Sequence, residues 1–132
     1  MKINKDIAKK KLFSKTNGGQ GYYSQPTVSE NQLVFVSEND LWQVSIYGGK
    51  PQRLTSSRSE THSPIFSPRG NWIACCTMEE GEHDVYLMES GGGPLKRLTW
   101  LNSITHIVGW SNNGQNILFR STHESVHRNG CD

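Results

Sequence analysis

The chain has 132 residues, of which 33% are hydrophobic, so it is the size of one ordinary domain and too short for a multidomain enzyme. Its formal net charge of +2 is unevenly spread, because the first fifteen residues contain six lysines and one aspartate while the remainder is mildly acidic. The remainder therefore lacks the clustered basic surface that phosphate binding requires, and we expect no nucleic-acid partner.

The amino-terminal residues predict neither a membrane segment nor a secretory signal. No apolar run approaches the roughly 18 residues of a spanning helix, and residues 1–13 lack the apolar core of a signal peptide. We therefore predict a cytoplasmic protein with no membrane partner. Residues 1–21 are interpreted as a basic N-terminal tail, solvated and flexible rather than bound to an acidic surface.

The first copy of a repeated pattern covers residues 22–55. Apolar runs at 33–36 and 41–46 predict two strands, and the Tyr47-Gly48-Gly49-Lys50 turn leads to a further strand ending at Arg53-Leu54-Thr55. Glycines fall where a tight hairpin needs a positive φ angle.

The second copy covers residues 62–99. A first strand is predicted around 63–66, and the turn at 67–70 reverses the chain into the apolar run 72–77. Such a continuous run is typical of a strand covered on both faces. A third strand at 85–88 and the turn at 91–94 precede a fourth strand ending at Leu98-Thr99.

An offset of 44 residues relates the two copies and begins a third at residues 105–123. Arg53-Leu54-Thr55 recurs as Arg97-Leu98-Thr99, and Asp40-Leu41-Trp42 recurs as Asp84-Val85-Tyr86. The next strand of the third copy is due at Arg128, where no matching motif occurs. We interpret residues 124–132 as an aberrant or disordered tail, and the change of character after Thr122 favours a frameshift or premature end.

Four short strands that recur every 40 to 45 residues are typical of a β-propeller blade. The predicted fold class is therefore all-β: residues 22–123 form an incomplete propeller of about two and a third four-stranded blades. Closure of a propeller needs at least about four blades.

Several motifs resemble the N-terminal propeller of tricorn-type proteases over residues 21–122. These are Gly21-Tyr22-Tyr23 leading to Pro26-Thr27, the run VFVSENDLW at 34–42, and Val108-Gly109-Trp110. The wider pattern of Ser-Pro-x-Gly, an apolar strand, Asp-apolar-Tyr, Gly-Gly and Arg-Leu-Thr is shared with TolB-like and oligopeptidase-associated propellers.

The resemblance implies a cytoplasmic, self-compartmentalising serine peptidase (a hydrolase) that assembles as a hexamer and degrades peptides. In that family the N-terminal propeller has a channel or scaffold role, and the Ser, His and Glu of the active site belong to a C-terminal core. The implied partners of this chain are the rest of a tricorn-like polypeptide, its oligomer, and peptides. The alternatives are a TolB-type protein-binding propeller and the propeller cap of an oligopeptidase; the missing signal segment weighs against TolB.

No catalytic, cofactor-binding or metal-binding residue is predicted in the chain. It contains no Gly-x-Ser-x-Gly elbow and no His placed to serve a nucleophile, so we expect the catalytic domain to be absent. Some members of the resembled family hold the carboxylate of a peptide with paired arginines between the second and third blades. Residues 100–106 contain no Arg, so that role is not carried over.

The histidines suggest metal sites that we weigh against structural roles. His62 and His106 occupy equivalent repeat positions, so a shared ligand or metal site is conceivable, but hydrogen-bonded structural histidines explain them better. His123 and His127 have the i, i+4 spacing of a helical metal site but lie in the tail. Neither pair is taken as a metal site.

The recurring carboxylates and aromatic residues also have structural interpretations. Asp40 and Asp84 precede equivalent strands, where they are expected to accept backbone N–H bonds rather than form a catalytic pair. For the aromatic residues, packing between blades is favoured over ligand stacking. The aromatic residues concerned are Trp42, Trp72, Tyr86 and Trp110.

The cysteines predict neither a disulfide framework nor a redox site. Cys75, Cys76 and Cys131 are an odd number, and the first two are adjacent in a predicted strand, where their side chains point to opposite faces. Cys75 and Cys76 are interpreted as buried small hydrophobic residues.

Overall fold

The computed structural model describes residues 23–56, 59–79 and 83–122, which form three antiparallel sheets. Blade 1 contains β1 (Ser24–Ser29), β2 (Gln32–Ser37), β3 (Asp40–Ser45) and β4 (Gln52–Arg53). Blade 2 contains β5 (Thr61–Phe66), β6 (Trp72–Thr77), β7 (Asp84–Glu89) and β8 (Lys96–Arg97). The start of blade 3 contains β9 (Thr105–Trp110) and β10 (Ile117–Ser121). Within each sheet the strands follow one another in chain order, as expected for propeller blades.

The described residues include no helix with the length and apolar character needed to cross a bilayer. The predictions for residues 1–21 and 124–132 lie outside the described residues.

The second strand of each complete blade is buried on both faces, as its continuous apolar run predicts. Successive side chains of a strand point to opposite faces. In β6, Ile73 and Cys75 therefore contact blade 1, whereas Ala74 and Cys76 contact blade 3. This confirms the prediction that the two adjacent cysteines face opposite sides.

Two apolar clusters hold the blades together. Seam 1, between blades 1 and 2, consists of Val34, Val36, Leu41, Phe66, Ile73, Cys75, Tyr86 and Met88. Seam 2, between blade 2 and the start of blade 3, consists of Ala74, Cys76, Val85, Leu87, Ile107, Ile117 and Phe119. Because both faces of blade 2 are covered, its core is the most completely buried part of the described chain.

The uncovered face of blade 3 contrasts with the seams. Leu118 occupies the position of Ala74 in β6 and Val34 in β2, both of which are fully buried. Leu118 is 44% exposed, because no described element packs against that face of β10. The architecture is therefore the predicted incomplete propeller.

Two strand predictions need correction. The fourth strands are only two residues long, because Leu54 packs into seam 1 and the Thr55 hydroxyl bonds to Asp40 instead of extending the ladder. The first strand of blade 2 begins at Thr61, two residues before the predicted start, and a bulge between His62 and Ile65 interrupts its pairing with β6.

The Ser67–Gly70 turn brings blade 2 against blade 1. The Gly70 N–H donates to the Ser67 carbonyl at 2.8 Å, and Gly70 has a φ of +77°. A Cβ atom at Gly70 would collide with the Ser29 hydroxyl at the end of β1. Glycine is therefore required here both for the backbone conformation and for the close approach of the two blades.

Candidate functional site

The first strands of the blades lie side by side, since β1 packs beside β5 and β5 packs beside β9. In a propeller, the first strand of each blade is the one nearest the central channel. His62 and His106 are each the second residue of such a strand, so their equivalence in the repeat becomes proximity in space. Their ring centroids are 5.0 Å apart.

A third imidazole joins this pair from the loop before β7. His83 Nδ1 lies 2.9 Å from His62 Nε2, and the two ring centroids are 4.8 Å apart. The other ring nitrogen of His62, Nδ1, lies 2.9 Å from the Ser63 hydroxyl. We call His62, His83 and His106 the histidine cluster; it connects blades 2 and 3 where β5 and β9 begin.

The cluster holds its central member in the neutral form. Burial, followed by the positive potential of His83 and then His106, lowers the pKa of His62 from 6.5 to about 4, with Glu60 opposing the change. His62 is buried, and both of its ring nitrogens have hydrogen-bond partners. The prediction that His62 is a hydrogen-bonded structural residue agrees with this geometry.

A bulge positions His62 at the start of β5. Ser63 has a φ of +56°, a left-handed conformation that is unusual for a residue other than glycine, and Pro64 follows it. The Ser63 N–H donates to the side-chain oxygen of Gln25 at 2.6 Å, which ties this bend to β1. Gln25 itself has a φ of +51° and precedes Pro26, so the same bend occurs in blade 1.

The cluster is not a preformed metal centre. Within residues 23–56, 59–79 and 83–122, no group of three or more His, Cys, Asp or Glu side chains is placed to hold a metal ion. The paired residues His123 and His127 lie outside the described part of the chain.

A second recurring constellation lies at the start of the third strand in each blade. In blade 1, the Thr55 hydroxyl donates to Asp40 Oδ1 at 2.6 Å, and Arg53 Nε donates to Asp40 Oδ2 at 3.1 Å. The Leu41 N–H completes the arrangement by donating to the Thr55 hydroxyl at 3.0 Å. We call this set of Asp, Arg and Thr the Asp–Arg–Thr node.

Blade 2 repeats the node and shows how it joins the following loop. The Thr99 hydroxyl donates to Asp84 Oδ1 at 2.7 Å, and Arg97 Nη2 donates to Asp84 Oδ2 at 2.7 Å. The N–H of Leu101, in the loop toward blade 3, donates to Asp84 Oδ1 at 2.8 Å. The node therefore fixes β7, β8 and the following loop to one another.

The nodes extend the prediction made for the aspartates. Asp84 accepts a backbone N–H bond as expected, but an arginine and a threonine of the same blade also bind each carboxylate. Sequence reasoning missed these partners, although the signal was present: Arg follows Asp by 13 residues and Thr follows it by 15 in both repeats. These carboxylates are engaged in holding strands together.

The aromatic side chains pack between or against the blades. Tyr86 is a member of seam 1, and Trp72 and Trp110 pack against seam 2. Trp42 packs on the other face of blade 1, against the cluster of Leu33, Phe35 and Val44. Packing between blades is therefore confirmed for Tyr86, Trp72 and Trp110, whereas Trp42 contacts only residues of its own blade among those described.

The two described cysteines are free, buried thiols. Burial raises the pKa of both thiols, to about 12 for Cys76. Thiolate chemistry at either position is therefore disfavoured at neutral pH.

Comparison with known proteins places these blades in a family. Residues 20–131 match the family described as the tricorn protease N-terminal beta propeller domain. The chain belongs to this family. Tricorn protease homolog 2 of Streptomyces coelicolor is 39% identical over 99 residues, which are 74% of this chain and 8% of that protein.

Solved structures agree on the propeller fold. The crystal structure of the tricorn protease superimposes with a TM-score of 0.66 at 22% identity, over 75% of this chain and 11% of that one. A TolB from Agrobacterium tumefaciens superimposes with a TM-score of 0.67 at 25% identity, over 75% of this chain and 38% of that one. The chain thus corresponds to a small part of each of these proteins.

Proposed function

We propose that this chain supplies blades of the N-terminal propeller of a tricorn-like, self-compartmentalising serine peptidase that degrades peptides in the cytosol. Its own role is that of a channel wall and scaffold, and hydrolysis takes place in another part of the assembly. The family match over residues 20–131 carries this proposal.

The arrangement of the described polar groups supports a scaffold. The carboxylates of Asp40 and Asp84 bind side chains of their own blades, and His62 is buried and bound to Ser63 and His83. These bonds join neighbouring strands and loops of the blades. We therefore propose that the chain contributes no catalytic residue.

The proposed partners follow from the proportion of a tricorn protein that the chain represents. It spans 8% of the length of the Streptomyces coelicolor relative and 11% of the tricorn protease chain. We propose that the rest of a tricorn-like polypeptide completes the ring and that the complete protein forms a hexamer around peptide substrates.

A TolB-type binding propeller is the second candidate. The TM-score of 0.67 with a TolB favours it, because the superposition is as good as that with the tricorn protease. In that case the blades would bind another protein and take no part in peptide degradation.

Purification of the tagged chain from its native cells, followed by mass spectrometry, separates these candidates. The first candidate predicts a serine peptidase core of tricorn type, either in the same polypeptide or bound to it. The purified assembly should cleave fluorogenic peptides and be inactivated by a serine-directed inhibitor, whereas the isolated chain should not cleave them. Recovery of a cell-envelope partner without peptidase activity would contradict the first candidate and support the second.

An Asp84→Ala variant is the matched control, because it disrupts a node without altering the surface sequence of the first strands. Where the core is a separate polypeptide, this variant should lose it if recognition depends on folded blades. A variant that retained the same capture would indicate binding through an unfolded segment.

A further inference from the structure

The histidine cluster has a feature that a scaffold role does not explain. Three imidazoles from two blades converge where β5 and β9 begin, and His62 and His106 connect those strands directly. We propose that the histidine cluster is a proton-sensitive latch, and that its protonation loosens blade 3 from blade 2 at this end of the propeller.

The hydrogen bonds of the cluster limit how many protons it can hold. His62 Nε2 and His83 Nδ1 are 2.9 Å apart, so one of them donates and the other accepts. A proton on both atoms would place two N–H groups against each other. The two rings must then separate, and His62, whose ring also lies against His106 of blade 3, cannot keep both contacts unchanged.

The charges around the cluster give little compensation for an added proton. Glu60 lies before β5 and favours the charged form of His62, but it is exposed. Cys76, the partner of His62 on β6, stays a neutral thiol because burial raises its pKa to about 12. Arg120, the partner of His106 on β10, is a further cation.

The contacts of seam 2 determine which part of β9 opens when the histidine cluster is protonated. Ile107, next to His106, belongs to seam 2, and the Trp110 side chain at the end of β9 donates to the Ile65 carbonyl at 3.1 Å. Separation of His62 and His106 therefore loosens one end of β9 first, while the contacts at the other end can persist.

The direction of the pH dependence follows from the lowered pKa of His62. The folded state binds this proton less tightly than the unfolded state. The neutral His62 therefore stabilises the folded state fully above about pH 6.5, and this stabilisation is lost as the pH falls toward 4. If opening of β9 fully freed His62, its equilibrium constant would rise about 20-fold between pH 7 and pH 5, and this is an upper limit because His62 and His83 both belong to blade 2.

Hydrogen exchange in a dilute solution of the full chain measures this opening. After correction for the intrinsic pH dependence of exchange, the opening constant measured at the β9 amides should rise several-fold, up to about 20-fold, between pH 7 and pH 5, while the amides of β2 serve as the internal reference. Nuclear magnetic resonance should show His62 titrating with a midpoint far below 6. An unchanged opening constant or an ordinary His62 midpoint would overturn the latch.

Blade 1 supplies matched substitutions for the test. Ser24 in β1 holds the position of His62, and Asn39 before β3 holds the position of His83. His62→Ser should reduce the change in β9 opening to less than about 3-fold over the same pH range, and His83→Asn should reduce it less, because the burial of His62 remains. His83→Asn changes a half-buried loop residue, so it provides an independent readout if His62→Ser fails to fold. An undiminished pH response in His83→Asn would contradict the proposal.

Discussion

Blades 1 and 2 have the same Asp–Arg–Thr node in different surroundings. The Arg53 side chain of blade 1 is 46% exposed, whereas the Arg97 side chain of blade 2 is 12% exposed. Each arginine lies over a tryptophan ring, with the guanidinium carbon 5.7 Å from the Trp42 centroid in blade 1 and 5.4 Å from the Trp100 centroid in blade 2. The difference between the described nodes is therefore the burial of the arginine, and we expect the more buried node to contribute more to stability.

The same comparison extends to the faces of the sheets. Blade 2 is covered by seam 1 on one face and by seam 2 on the other, while blade 3 leaves Leu118 44% exposed. Repeat proteins gain much of their stability from such nearest-neighbour interfaces. We therefore expect stability to be highest in blade 2 and lowest in blade 3.

Replacing the node aspartates should have the largest effect. Asp84→Ala removes the buried carboxylate that binds Arg97, the Thr99 hydroxyl and the Leu101 N–H, so it should lower the free energy of unfolding by about 3–5 kcal/mol. Asp40→Ala should cost about 2 kcal/mol, since water can reach the exposed Arg53 side chain. Urea denaturation measures both free energies of unfolding. Equal losses in the two variants would contradict the expected difference between blades 1 and 2.

Alanine substitutions at two equivalent turn glycines should have an intermediate effect. Gly70→Ala should cost about 2 kcal/mol, because φ is +77° and the new methyl group collides with Ser29. Gly114→Ala should cost about 1 kcal/mol, because φ is +72° but the nearest atom, Pro68 Cδ, is 3.6 Å away.

A double-mutant cycle sharpens the test of the close approach at seam 1. If the collision with Ser29 contributes, the Ser29→Gly and Gly70→Ala variant should recover part of the loss caused by Gly70→Ala. If the effects of Ser29→Gly and Gly70→Ala on thermal melts are strictly additive, the collision with Ser29 does not contribute. The loss of stability in Gly70→Ala would then come from the backbone conformation alone.

Replacing the exposed tryptophan should have the smallest effect. Trp100 is 66% exposed and corresponds in the repeat to Ser56 of blade 1. Trp100→Ser should cost about 0.5–1 kcal/mol, the value of an exposed cation–π contact with Arg97. A loss as large as that of Asp84→Ala would show that Trp100 packs more extensively than the comparison assumes.

The sequence predicts the blades well because their strands repeat. The 44-residue offset locates equivalent strands, and alternation in the run 72–77 correctly assigns Cys75 and Cys76 to opposite faces. The short length of the fourth strands was not predicted, because Arg53-Leu54-Thr55 has the alternation of a strand. In the structure, Leu54 packs against seam 1 and Thr55 binds Asp40, so the strand ends at Arg53.

The candidate site is only partly predictable from the sequence. The equivalence of His62 and His106 in the repeat predicts that they meet, whereas His83 lies in a loop whose blade 1 counterpart is Asn39. No periodic signal marks His83, and only the structure shows that its ring contacts His62. The Asp–Arg–Thr node could have been found, because all three residues recur at constant spacing.

Hydrogen exchange of the full chain, resolved strand by strand at pH 7, tests most directly whether covered faces and nodes set the stability of each blade. The amides of β6 and β7 should exchange slowest, those of β2 and β3 faster, and those of β9 and β10 fastest, because burial decreases in that order. Equal protection in all three blades, or the strongest protection in β9 and β10, would contradict this account.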